Sequence, residues 1–238
     1  MNLILCGGGS GEQNILANKK LNEIVDHKKP ILYIPLAMEE SEHPYDSCYE
    51  WIMGELSQVD VIRIDMVRNF DELSNKNLTD YTALFIGGGN TYKLLKGLKE
   101  SGSFDKIRSY LKNDGIIIGG SAGAVIFGKD IDIISSMDSN DVKLIDTRGF
   151  DVLSGISIFP HYTNTKKRLS DEENKERMNK FTQAIVNFSL NNGDVYAIPE
   201  EDAIYFDGIS VEVLGTRNYY YFSNGMIEEY EINNRHHK

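Results

Sequence analysis

Short runs of aliphatic and β-branched residues recur along this chain at helix-length intervals: LILC at 3–6, ILYIPLA at 31–37, VIRIDM at 61–66, ALFIGGG at 83–89 and IIIGG at 116–120. Strands that are apolar on both faces must be covered on both faces, which is the condition of a parallel sheet between two helical layers. The intervening segments supply those layers. In NTYKLLKGLKESGSFDKIRSYLKNDG, Leu94, Leu95, Leu98, Ile107 and Leu111 keep a spacing near 3.6 residues and read as helical. Alternation of this kind predicts an α/β fold, a doubly wound and mostly parallel sheet in a three-layer α/β/α sandwich. Past about residue 194 the pattern changes to closely spaced strands, VYAIP, AIYFDG, SVEVLG, NYYYFSNG and MIEEYEI, with Asn224-Gly225 as the strongest turn signal. These predict an antiparallel meander that finishes the same sheet, so that residues 1–238 form one domain, with NNRHHK as a frayed tail.

Composition narrows the partners. A hydrophobic content of 41% suffices for a sizeable core, while a formal charge of -11 and a pI near 4.9 repel phosphate backbones, so no nucleic-acid partner is expected. MNLILC runs straight into GGGSG, and no window reaches membrane-spanning length, which gives the expectation of a cytoplasmic protein with no membrane partner. Two cysteines, Cys6 and Cys48, are too few for a disulfide scaffold or a structural zinc site. The acidic surface suits a monomer or a homodimer.

Chemistry concentrates at IIIGGSAGAVIFG, residues 116–128. Gly119-Gly120-Ser121-Ala122-Gly123 satisfies G-x-S-x-G, with a strand before it and a helix-compatible segment after it. A serine in a tight strand-to-helix turn needs small neighbours, and a helix starting there aims free N–H groups at a developing oxyanion. Ala122 N–H is the natural first donor. The same turn would also suit a plain junction or a phosphate site, although neither GGGSGE nor GGSAGA carries the lysine of a P-loop. GGGSGE also fails the dinucleotide fingerprint, since neither glycine pair is followed by a glycine three residues on. A second cluster, FIGGGNT at 85–91, ends the preceding strand at the same carboxyl edge, where Gly89 N–H is the second candidate oxyanion donor and Asn90 a substrate contact or a helix cap.

A serine hydroxyl needs a base, and there are five histidines. His27 lies among charged residues, His43 in an acidic loop, and His236 and His237 in the tail. His161 instead follows the apolar ISIFP and opens HYTNT, which places it at a strand end on the Ser121 side of the sheet. The acid that orients it is left open among Asp130, Asp132, Asp138, Asp141 and Asp146.

FIGGGNTYKLL, IIGGSAGA, DTRGFDVL and FPHYTN, in this order, resemble the peptidase E group of aspartyl dipeptidases and cyanophycinases over about residues 1–200. The resemblance implies a serine peptidase on a sandwich related to class I glutamine amidotransferases, with serine in place of their cysteine. It makes Ser121 the nucleophile and His161 the base, with Gly89 and Ala122 lining the oxyanion hole. Counting back from Asp146-Thr-Arg-Gly-Phe150 points to Asp141 as the acid, with Asp138 in reserve. Family members pair an arginine with the substrate's aspartyl side chain; the matching register in EENKERM holds Lys175, with Arg177 displaced by two. AIPEEDAI resembles a family segment in which Glu200 binds a free amino terminus.

The expectation is therefore acyl transfer from a short peptide to water on Ser121, without metal or organic cofactor. Hydrolysis of other esters or amides, including the isopeptide bonds of cyanophycin, is the alternative among enzymes, and a non-catalytic ligand-binding relative the alternative outside them.

Overall fold

The computed structural model describes residues 1–232; the expectations for the NNRHHK tail, with His236 and His237, lie outside the described residues. The anticipated parallel strands form as β1 (Asn2–Cys6), β2 (Ile31–Ile34), β3 (Ile64–Met66), β4 (Ala83–Ile86) and β5 (Ile116–Gly120), joined by helices α1 (Ile15–Ile24), α2 (Tyr45–Glu55), α3 (Phe70–Asn75), α4 (Thr91–Glu100) and α5 (Ser103–Lys112). Leu3, Ile4 and Leu5, like Ile31 to Ile34, are fully buried in succession. Consecutive side chains point to opposite faces, so this burial requires a covered sheet on both sides. The 90–115 segment makes two helices rather than one, because Gly102 adopts a left-handed φ of +75° and turns the chain between them.

The second half continues with α6 (Ala122–Val125), β6 (Ser157–Phe159), α7 (Asp171–Asn191), β7 (Val195–Ala197), β8 (Ala203–Phe206), β9 (Val211–Leu214), β10 (Tyr219–Ser223) and β11 (Met226–Tyr230). Here the meander expectation is corrected. Only β8 and β9 extend the central sheet, whose order is β3-β2-β4-β5-β1-β8-β9, with β8 antiparallel to β1. The remaining strands build a separate four-stranded sheet, β11-β10-β7-β6, in which β6 and β7 run parallel. The buried residues of both sheets belong to one continuous apolar core. The mixed α/β architecture, mostly parallel at its centre with antiparallel strands added by the C-terminal part, is the one the sequence predicts.

Candidate active site

The end of β1 ties the two sheets together. Ser121 N–H donates to Cys6 O at 3.2 Å, and His161 N–H donates to the adjacent Gly7 O at 2.9 Å. Ser121 thus leaves the central sheet and His161 leaves the small sheet, and both arrive beside one short stretch of backbone. The expected shared sheet edge is replaced by a seam between two sheets, yet the two side chains meet: Ser121 Oγ lies 2.8 Å from His161 Nε2.

Ser121 holds φ +51° and ψ -111° between β5 and α6. That region is costly for any residue with a side chain, and such strain at a strand-to-helix turn is what projects a serine hydroxyl out of the fold. Gly88 stands close on one side, where an added Cβ would come within 3.3 Å of Ser121 Cβ. Gly89 has φ +133°, and an added Cβ there would lie 2.5 Å from the Ala37 backbone, so only glycine fits. Its N–H and that of Ala122, the first residue of α6, donate to no protein acceptor among the described residues.

The acid on the histidine is Glu200, whose Oε1 accepts from His161 Nδ1 at 2.8 Å. This corrects the expectation of an aspartate. Asp141 is exposed and accepts from Ser139 Oγ at 2.6 Å, while Asp138 accepts from Thr91 N–H at 2.8 Å and Thr91 Oγ1 at 2.7 Å, and neither reaches the imidazole. Both lie on the stretch after α6, on the α4 side of the cavity, whereas the side of His161 facing Nδ1 is occupied by the segment that follows β7. Because β6 and β7 are parallel and Phe159 pairs with Ala197, the residues just past the two strands emerge side by side. The sequence carried a signal for this in the echo between IFPH and AIPE, two apolar strands each closed by proline and a titratable residue. The hydrogen bond from His161 is the main cause that holds the Glu200 carboxyl below the usual range, against the opposing effect of its partial burial. An ionised Glu200 fixes the proton on Nδ1 and leaves the Nε2 lone pair facing the serine hydroxyl.

In front of Ser121 opens a cavity of about 560 Å³. Gly89, Thr91 and Asp138 line one side; Lys166, Arg177 and Lys180 line another. Arg177 donates to Asn164 O at 2.7 Å and lies over the Phe181 ring, 4.6 Å from its centre. Burial lowers the affinity of Arg177 and of Lys166 for their protons, and for Lys166 the neighbouring Arg177 and Arg168 add to it. Lys175, the cation expected from the family register, is exposed and outside the cavity; α7 turns Arg177 inward instead, one helical turn before Phe181. Asn90 does not line the cavity either. Its Oδ1 accepts from Lys93 N–H at 2.9 Å and its Nδ2 donates to Ser139 O at 2.9 Å, which spends its polar atoms on capping α4 and holding the loop.

Among the described residues no group of three or more His, Cys, Asp or Glu side chains converges as metal ligands, and no helix is long and apolar enough to cross a membrane. Residues 3–214 match peptidase family S51. The chain is 31% identical over 205 residues to peptidase E of Pasteurella multocida (strain Pm70), covering 83% of this chain and 80% of that protein. It is 28% identical over 206 residues to peptidase E of a Nostoc species (strain PCC 7120), covering 83% and 77%. The fold superposes on the crystal structure of a peptidase from an acI-B1 actinobacterium with a TM-score of 0.69 at 18% identity, covering 96% of this chain and 93% of that one. A family match over nearly the whole length, joined to a serine, a histidine and a carboxylate in hydrogen-bonded series, makes this chain a member of peptidase family S51, a serine-type peptidase.

Proposed function

We propose that the enzyme cleaves short peptides whose first residue is acidic, through an acyl-enzyme on Ser121. One observation carries the reading: the series Ser121 Oγ, His161 Nε2, His161 Nδ1 and Glu200 Oε1, with 2.8 Å at each contact. His161 takes the Ser121 proton as Oγ attacks the scissile carbonyl, and Glu200 stabilises the imidazolium that results. The N–H groups of Gly89 and Ala122 receive the oxyanion. His161 then protonates the departing amine, which breaks the C–N bond. A water molecule, deprotonated by the same imidazole, attacks the ester and frees Ser121.

The cavity supports the substrate class. A dipeptide with an acidic first residue carries an ammonium and a carboxylate close together, and the cavity offers Asp138 on one wall and Arg177, Lys166 and Lys180 on another. Asp138 pairs with the α-ammonium, so the enzyme reads a free amino terminus. Arg177 pairs with the side-chain carboxylate, helped by partial desolvation that strengthens the pairing. Action in the cytoplasm, as a monomer or homodimer, is part of the same proposal.

A panel of dipeptides, N-acetylated dipeptides and simple esters tests this, alongside fluorophosphonate labelling of wild type and Ser121→Ala. The expected result is turnover of aspartyl and glutamyl dipeptides, none after N-acetylation, and labelling that disappears in the variant. Ester turnover without any dipeptide turnover would overturn the peptide assignment.

A further inference from the structure

GGGSGEQN, which follows β1 and matches no nucleotide-binding pattern, packs directly on the catalytic pair. Gly7 N–H donates to Asp202 O at 2.9 Å and Gly9 N–H to Glu200 O at 3.2 Å, so the loop runs alongside the segment that bears the acid. Between them Gly8, at φ +103°, lies flat against the imidazole: an added Cβ would fall 2.2 Å from His161 Cε1. The loop closes with Gln13. Its Oε1 accepts from Ser10 N–H at 3.3 Å, and its Nε2 faces Glu200 Oε2 at 3.4 Å. A backbone N–H can only donate, so the contact to Ser10 fixes which end of the amide is oxygen and leaves the NH₂ group turned toward the carboxylate.

The far side of the loop is clamped by Glu55 at the end of α2, a buried carboxylate that ends the loop's freedom. It accepts from Gly11 N–H at 2.7 Å and from Asn14 Nδ2 at 2.7 Å, and Asn14 Nδ2 also donates to Gly9 O at 2.8 Å. Glu200 Oε1 is committed to His161, Glu200 N–H donates to Asn164 Oδ1 at 2.7 Å, and Oε2 has Gln13 as its donor.

We infer that Gln13 is a positioning residue of the catalytic carboxylate: the glycine loop holds its amide on Glu200 Oε2, which keeps Oε1 turned to His161 and the carboxyl ionised. The inference rests on the Ser121–His161–Glu200 reading and adds to it a fourth residue that touches neither substrate nor the reacting atoms. A donor on Oε2 favours the charged form of Glu200, as the contact from Gln13 does here.

The test is the pH profile of kcat/KM for a cleaved dipeptide, measured for wild type, Gln13→Met, Gln13→Glu and Glu200→Gln. Gln13→Met removes the donor at similar volume and is expected to lower kcat about tenfold with little change in KM. Gln13→Glu retains the acceptor for Ser10 but sets a second carboxylate against Glu200, which favours the imidazolium and moves the acidic limb upward by roughly half a pH unit. A merely structural role for residue 13 would lower the melting temperature of Gln13→Met and leave its kcat in place. If Gln13→Met and Gln13→Glu both superpose on wild type while Glu200→Gln loses activity, the inference is overturned and the triad reading stands. If Glu200→Gln is itself as active as wild type, the triad reading falls and takes the inference with it.

Discussion

Ser121 and His161 both occupy positive φ, +51° and +57°, a conformation that costs a non-glycine residue on the order of 1–3 kcal/mol. Each is held there by a backbone bond to the end of β1, so the strain is carried by the two-sheet scaffold and spent on aiming two side chains at each other. At this scale the proposed specificity is tested at Arg177. Arg177→Met, which retains the stem over Phe181, is expected to lower kcat/KM for aspartyl-leucine about 30-fold, the worth of a charge-assisted hydrogen bond, and to leave alanyl-leucine within about threefold. Parallel kinetics on the two substrates check it. Asp202, beside the triad acid, gives a stability signature. Its Oδ1 accepts from Thr216 and Arg217 N–H, its Oδ2 is buried without a partner among the described residues, and burial raises the carboxyl to about 6. A carboxyl that binds its proton more tightly folded than unfolded contributes stability below pH 4 or so that is lost as pH rises through 6. Denaturation at pH 5 and pH 7.5 should therefore show wild type losing about 1 kcal/mol relative to Asp202→Asn. Much of the residue scale was legible. Ser121 was marked by its small neighbours and His161 by elimination, but the acid was sought among aspartates nearby in sequence. Glu200 was out of view in that role because the parallel pairing of β6 with β7, which no local pattern encodes, is what delivers it.

Among the elements, α7 carries the cationic wall of the cavity, and its start is defined by chemistry visible in the sequence. Ser170 Oγ accepts from Glu173 N–H and Glu173 Oε2 accepts from Ser170 N–H, a reciprocal cap. One turn in, buried Asn174 accepts from Lys166 N–H and donates to Lys166 O, Leu169 O and Ser170 O, stitching the Lys166 loop to the helix. Ser170→Ala should cost about 1 kcal/mol in urea unfolding by leaving the Glu173 N–H without its acceptor. Asn174→Ala should cost more than Ser170→Ala and also raise KM for acidic dipeptides, since it releases Lys166. The family register of EENKERM points to Lys175, but the rotation of the helix is not readable from it. Lys175 and Arg177 differ by two positions, which is a large swing around a helix, and only packing against Phe181 and the rest of the core decides which one faces inward.

At the scale of the molecule, the sequence pattern made the central sheet plain and hid the small one. Runs that are apolar on both faces name a covered parallel sheet, whereas strands of mixed polarity such as NYYYFSNG and MIEEYEI are consistent with any antiparallel partner. Whether they extend one sheet or found another depends on long-range pairing, which periodicity does not report. The continuous core predicts that the two sheets unfold together. Trp51, the single tryptophan, reports from α2, and Tyr196, Tyr219 and Tyr221 report from the small sheet. Tryptophan fluorescence and near-ultraviolet dichroism should then give coincident urea midpoints, and two separate midpoints would divide the molecule.

The seam between the sheets has a consequence for synthesis. A growing polypeptide that has emerged only as far as residue 190 contains the hydroxyl and the imidazole, but not the carboxylate that fixes the tautomer, nor the strand β8 that completes the flank of β1. Under the proposed mechanism a fragment of residues 1–190 is expected to be inert toward peptides and fluorophosphonate, because the group that orients its imidazole is absent.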